Sequence, residues 1–168
     1  MHILLAAFLG VIGIFKIDWR NWRLYHTTVL YMVCCNLLYN VLCVDKYLWK
    51  YHADFLIQHK TTELIYSFFI LPLTALLFLS NFPHTEGHMS KKIWYILKWI
   101  FISLAVETIY VKLGRLELMN GYKFWMEPFF YLAMYFMLKL HQSRPLLTYG
   151  LSIVIIAILL RAFHIPIR

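Results

Sequence analysis

LIYSFFILPLTALLFLSNF, residues 64–82, contains no Asp, Glu, Lys, Arg or His. An uncharged apolar run of about 18 residues or more is long enough to cross bilayer hydrocarbon as a helix. The run is continuously apolar rather than alternating, which argues against a barrel strand. In hydrocarbon a segment outside a barrel must satisfy its backbone internally, so the expected form is a helix. Pro72 near its middle predicts a kink. Working outward, residues 1–15, 27–44, 93–113, 122–140 and 146–163 form five further apolar runs with short polar gaps between them. The expected fold is an all-α integral membrane protein: a single domain over residues 1–168, built as a bundle of about six transmembrane helices.

Composition agrees with that reading. Hydrophobic residues make up 62% of the 168 positions and charged residues 14%, against roughly half and a quarter in soluble domains. A water-soluble fold of this size could not hide so much apolar surface. The net charge of +8 raises nucleic acid as a partner, but Lys and Arg cluster at the ends of the apolar runs, where lipid head groups lie. Nucleic acid is therefore excluded, and the bilayer is the first expected partner. Cys34, Cys35 and Cys43 share one run without CxxC spacing, which favours neither a disulfide framework nor a zinc site.

The gaps carry their own signals. Residues 16–26 hold two Trp, three cations and Asp18, as a head-group segment would. In the longest gap, residues 45–63, the spacing of Tyr47, Leu48, Tyr51, Phe55 and Leu56 predicts a short amphipathic interfacial helix. Pro128 disfavours a helical residue before it, so the fifth regular helix is expected to begin near there. Pro145 suits the start of the sixth. Six spans place both termini on one side. Lys and Arg divide eight against eight between the two sides, and the first span, with cations only after it, points to termini outside the cell.

Charged groups inside spans cost several kcal/mol and are functional candidates by default. Glu107 is the foremost. Ser103, Glu107, Tyr110 and Gly114 recur on one helix face, and such a polar stripe should face protein. Glu107 and Glu127 are each ten residues from Glu117, which would put them at similar depth in a helical hairpin. Two carboxylates sharing a poorly solvated site cannot both ionise cheaply, as in proton carriers and acid–base enzymes. Alternatively, Glu127 is a helix-start residue at the interface, favoured by the dipole. Asn36 and Asn40 lie one turn apart on the second run, where Asn hydrogen bonds can tie spans together. The candidate polar pocket is Asn36, Asn40, Glu63, Ser103, Glu107, Tyr110 and Glu127, opening on the side of the N-terminus. His84-x-Glu86-x-His88 and the His59/Glu63 pair lack the further ligands a metal needs. No metal, cofactor or catalytic residue is expected.

The stretches Asp18-Trp19-Arg20-Asn21-Trp22-Arg23-Leu24-Tyr25-His26 and Asn36-Leu37-Leu38-Tyr39-Asn40 resemble the opening of a family of small, uncharacterised multipass membrane proteins of endospore-forming Firmicutes, bacilli and clostridia. Leu48-Trp49, Glu63-Leu64-Ile65-Tyr66, Glu107, Tyr110, Gly114, Asn120-Gly121 and Arg144-Pro145-Leu146-Leu147 extend the resemblance over most of the chain. Where that pattern has a Trp pair after Asn120-Gly121, this sequence has Tyr122 and Trp125. The resemblance implies a bacterial, multipass cell-membrane protein and transfers no catalytic residue.

Three functional classes follow. The favoured one is a non-enzymatic inner-membrane bundle that binds a membrane partner or small ligand, with a second copy of the chain or another membrane protein as further partner. The others are a proton-coupled small carrier or channel, and a membrane-embedded lipid or isoprenoid enzyme using Glu107 and Glu127.

Overall fold

A computed structural model describes residues 1–44, 46–52, 59–83 and 89–166, with the side chains of 59 and 60 excepted. The chain is 79% helical. Its strands, in the described residues, are two segments of three residues each, so the class is all-α. The helices are α1 (His2–Lys16), α2 (His26–Leu42), α3 (His59–Ile65), α4 (Leu71–Ser80), α5 (Met89–Lys112), α6 (Glu127–Ser143) and α7 (Pro145–Ala162). A π-helical turn, Tyr66–Ile70, fuses α3 and α4 into one rod. Pro72 stands just past this turn, in the first turn of α4. Proline has no N–H and its ring clashes with the carbonyl four residues back, so the preceding turn widens. The Leu71 N–H then reaches the Tyr66 carbonyl, five residues back. Thr74 Oγ1 donates to the Ile70 carbonyl at 2.7 Å.

Three rods are long and apolar enough to cross a membrane: Thr61–Ser80, Met89–Lys112 and Pro145–Ala162. α1 and α2 are apolar but shorter, at 15 and 17 residues. α6 has 17. It starts at Glu127, leaving residues 122–126 of the expected fifth run outside the helix. Pro128 fits in its first turn, where a missing N–H costs nothing.

The rods alternate in direction. At one end Tyr25 and Phe82 join a cluster with Phe78, Tyr135 and Leu138, and Asn81 Nδ2 donates to the Lys16 carbonyl at 3.0 Å. At the opposite end Met1 packs with Tyr66 and Tyr110, and Ile165 packs with Cys43, Leu48 and Tyr122. Lys46 Nζ donates to the Phe163 carbonyl at 2.8 Å, which places a cation on the α7 C-terminus, where the helix dipole favours it. The two ends of the described chain therefore meet at one end of the bundle.

That end is closed by a small antiparallel sheet, β1 (Trp49–Tyr51) on β2 (Leu116–Leu118), with Trp49 opposite Leu118 and Tyr51 opposite Leu116. This corrects the amphipathic helix expected over residues 45–63. Tyr47, Leu48 and Tyr51 belong to a strand and its approach, while Phe55 and Leu56 lie outside the described residues. The strand prevails because β2 offers it a partner: α5 stops and turns back beside it. Gly114, at φ +64°, makes that stop. Its N–H bonds the Val111 carbonyl and the Arg115 N–H bonds the Tyr110 carbonyl, which is a Schellman cap. Asn120 and Gly121 both have positive φ, and Tyr122 N–H returns to the Met119 carbonyl, as in a type I′ turn. The Asn120 amide also donates to the Tyr47 carbonyl at 2.6 Å, tying the two loops together.

Much of the outer surface is apolar. On α7, Leu146 and Ile153 are exposed; on α5, Trp94 and Phe101 are. Patches of that extent on a soluble monomer would be an aggregation liability, whereas lipid tails cover them without cost.

Candidate functional site

The interior holds a cavity of about 390 Å³. It is bounded by all six rods, α1 through Leu5 and Leu9, and is roofed by the sheet through Trp49, Tyr51 and Leu116. All seven residues of the expected polar pocket, Asn36, Asn40, Glu63, Ser103, Glu107, Tyr110 and Glu127, lie on its walls. Glu127 and Tyr110 lie beside the sheet, through Trp49 and Leu116, whereas Ser103 lies deeper, against Tyr135.

Each polar residue is placed by its own helix. Asn36 Nδ2 donates to Ser67 Oγ at 2.8 Å, and Ser67 Oγ donates to the Glu63 carbonyl, also at 2.8 Å. This chain ties α2 to the turn where the π segment begins. Ser103 and Tyr135 share a hydroxyl hydrogen bond of 2.7 Å between α5 and α6. Tyr110 is buried, and its ring sits 5.2 Å from that of His2.

Glu127 is 1% exposed. Both sequence readings of it meet here: it is the first residue of α6, where the helix dipole favours an acid, and it is also buried in the cavity wall. The Trp49 indole N–H donates to its Oε1 at 2.5 Å. Trp49 is in turn fixed by α2, because the Tyr39 hydroxyl accepts the backbone N–H groups of Leu48 and Trp49 at 2.8 and 2.9 Å.

Glu107 differs from Glu127. It is 5% exposed, and neither carboxylate oxygen forms a hydrogen bond. Glu127 and Tyr131 are close enough to interact with it electrostatically. A buried carboxylate whose polar neighbours are another acid and a phenol is among the costliest groups a protein can hold. Tyr51, in the roof, responds to both acids. Burial of its hydroxyl, with Glu107 and then Glu127 nearby, pushes the phenol above its ordinary value.

Sequence reasoning did not find Trp49, Tyr39 or Tyr131. For Trp49 a signal existed: Tyr47, Trp49 and Tyr51 alternate, the spacing of a strand face. Tyr39 and Tyr131 carry none, since aromatic residues are common throughout the apolar runs. Of the proposed metal sets, His84, Glu86 and His88 and the side chain of His59 lie outside the described residues. Among the described residues no group of three or more His, Cys, Asp or Glu is placed to hold a metal ion. Cys34 is exposed, Cys43 is buried, and all three thiols are free. The chain matches no family model, no curated protein sequence and no solved structure, so the chemistry of this cavity is what carries a functional reading.

Proposed function

We propose that this chain is a non-enzymatic, multipass cell-membrane protein whose six helical rods each cross the bilayer and whose interior cavity binds a small ligand or a membrane partner. The observation that supports it most is the cavity with Glu107 buried on its wall, neither carboxylate oxygen in hydrogen-bond geometry with a donor. Proteins keep a destabilising buried polar group where a ligand or function compensates for it. The α1, α2 and α6 helices are short for a bilayer of ordinary thickness, a mismatch accommodated by local thinning or by flanking Trp and Lys.

The test uses the purified full chain in lipid nanodiscs and a small neutral aryl diazirine as photolabel. Labels are expected both on the lipid-facing surface of α5 at Phe101 and on its cavity face at Trp99 and Ser103. Ala133→Trp, which fills the cavity from α6, should remove the second set and spare the first. Labels confined to lipid-facing positions would refute an accessible pocket.

The pairing of Glu107 with Glu127 favours a second reading, a proton-coupled carrier. Proteoliposomes acidified by a pH jump would show it as proton flux lost in Glu107→Gln.

A further inference from the structure

The cavity wall contains three carboxylates, Glu63, Glu107 and Glu127, and among the described residues no Lys, Arg or His. This is notable in a chain with sixteen Lys and Arg. The nearest imidazole, His2, stands behind the wall against Tyr66 and Tyr110. Its ring nitrogens are engaged by the His52 carbonyl at 2.9 Å and the Tyr66 hydroxyl at 3.3 Å. Among the described residues, then, no Lys, Arg or His of the wall stands against Glu107 or Glu127.

The rest of the wall is aromatic and aliphatic. Trp49 and Phe130 lie ring to ring at 4.8 Å, with Tyr51, Tyr131 and Tyr110 lining the same space. Aromatic faces attract cations, most strongly where water is excluded. Apolar walls with a few convergent polar groups are the usual make-up of a small-molecule site, and about 390 Å³ is within the usual size range for one.

Resting on the reading of the cavity as a ligand site, we propose that its ligand is a lipophilic organic cation: an amine, quaternary ammonium or phosphonium group on an apolar body. Its charge sits between Glu107 and Glu127, and its body lies along the aromatic wall toward Ser103 and Trp99. The empty pair shares one proton; cation binding releases it, so the net charge of pair plus ligand is the same in both states. Neither a neutral nor an anionic ligand supplies countercharge to the pair once that proton has left. The titratable groups beside the pair are Tyr51 from β1, Tyr122 from the loop before α6 and Tyr131 from α6; Glu63, Tyr39 and Tyr110 line the same cavity.

Equilibrium dialysis of the purified full chain in a neutral detergent tests this with three probes of similar shape: tetraphenylphosphonium, neutral triphenylphosphine oxide and anionic tetraphenylborate. Only the cation should bind saturably. Its Kd should rise by about tenfold per pH unit on acidification, where one proton competes for the site, and one proton should be released per cation bound. Glu107→Gln and Glu127→Gln should each weaken binding at least tenfold, while Glu107→Asp retains it. The wild-type pH and proton-release measurements stand even if a Gln variant fails to fold. Equal binding of the oxide or borate overturns the cation assignment and leaves the pocket reading in place. So does phosphonium binding that neither pH nor the Gln substitutions alter. If no probe binds, the cation assignment falls, and the neutral photolabel decides separately whether the pocket exists.

Discussion

The Glu127 carboxylate survives in an apolar interior because the first turn of α6, the Glu107 carboxyl, the Trp49 indole and the Tyr122 hydroxyl favour its charge. Hydrogen bonds to charged groups contribute about 1.5–3 kcal/mol. Trp49→Phe keeps much of the ring packing against Tyr122 and Phe130 and deletes the donor. The expected result is a loss of about 2 kcal/mol by reversible unfolding in mixed micelles, with helicity unchanged by circular dichroism. A variant as stable as the parent would mean that the indole contributes packing alone. Glu107 could be singled out from sequence because a charge six residues from the end of an apolar run, with Ser103 and Tyr110 on its face, is costly wherever it sits. Its relation to Glu127 could be inferred from their equal distance to Glu117, as long as the intervening turn was tight. Trp49 could not be reached that way. Its bond spans 78 residues and depends on two loops meeting, which no local periodicity encodes.

Among the elements, the least expected is the two-stranded sheet, and α5 shows how it arises. The helix must end sharply for β2 to run back alongside β1, and Gly114 provides the left-handed residue for that stop. A Cβ there would meet no atom within 4 Å, so Gly114→Ala tests the backbone conformation alone. The left-handed conformation costs an L-residue about 1–2 kcal/mol. The variant should lose about that much stability, and Gly114→Asn less, since Asn tolerates positive φ. Ala equal to Gly in the same unfolding assay would show that the cap frays without consequence. The helical rods follow from hydrophobic runs and Pro positions, which act locally. The strands are three residues long and pair across more than sixty residues, so the helical spacing of Tyr47, Leu48 and Tyr51 was as good a local pattern as the alternation of Tyr47, Trp49 and Tyr51. Only the partner strand decides between them.

At the scale of the molecule, alternation of six rods brings Met1 and Ile165 to the sheet end, while Lys16, Phe82 and the start of α2 gather at the other. Cations give no strong preference for either orientation, with eight on each side of a six-span topology. If all six rods cross, as proposed, direction falls to the first span, whose following segment holds Lys16, Arg20 and Arg23. Compartment-sensitive reporters fused before Met1 and after Arg168 should therefore report the same side, and that side should be outside the cell. A reporter between Lys16 and Tyr25 should report the opposite one. Termini in opposite compartments would require an odd number of crossings. α1, with 15 residues, is the helix whose removal from the membrane would produce that result. The roofed cavity would then lose the membrane on one flank, and Leu4, Phe8, Val11 and Phe15, all exposed on α1, would need a protein partner in place of lipid.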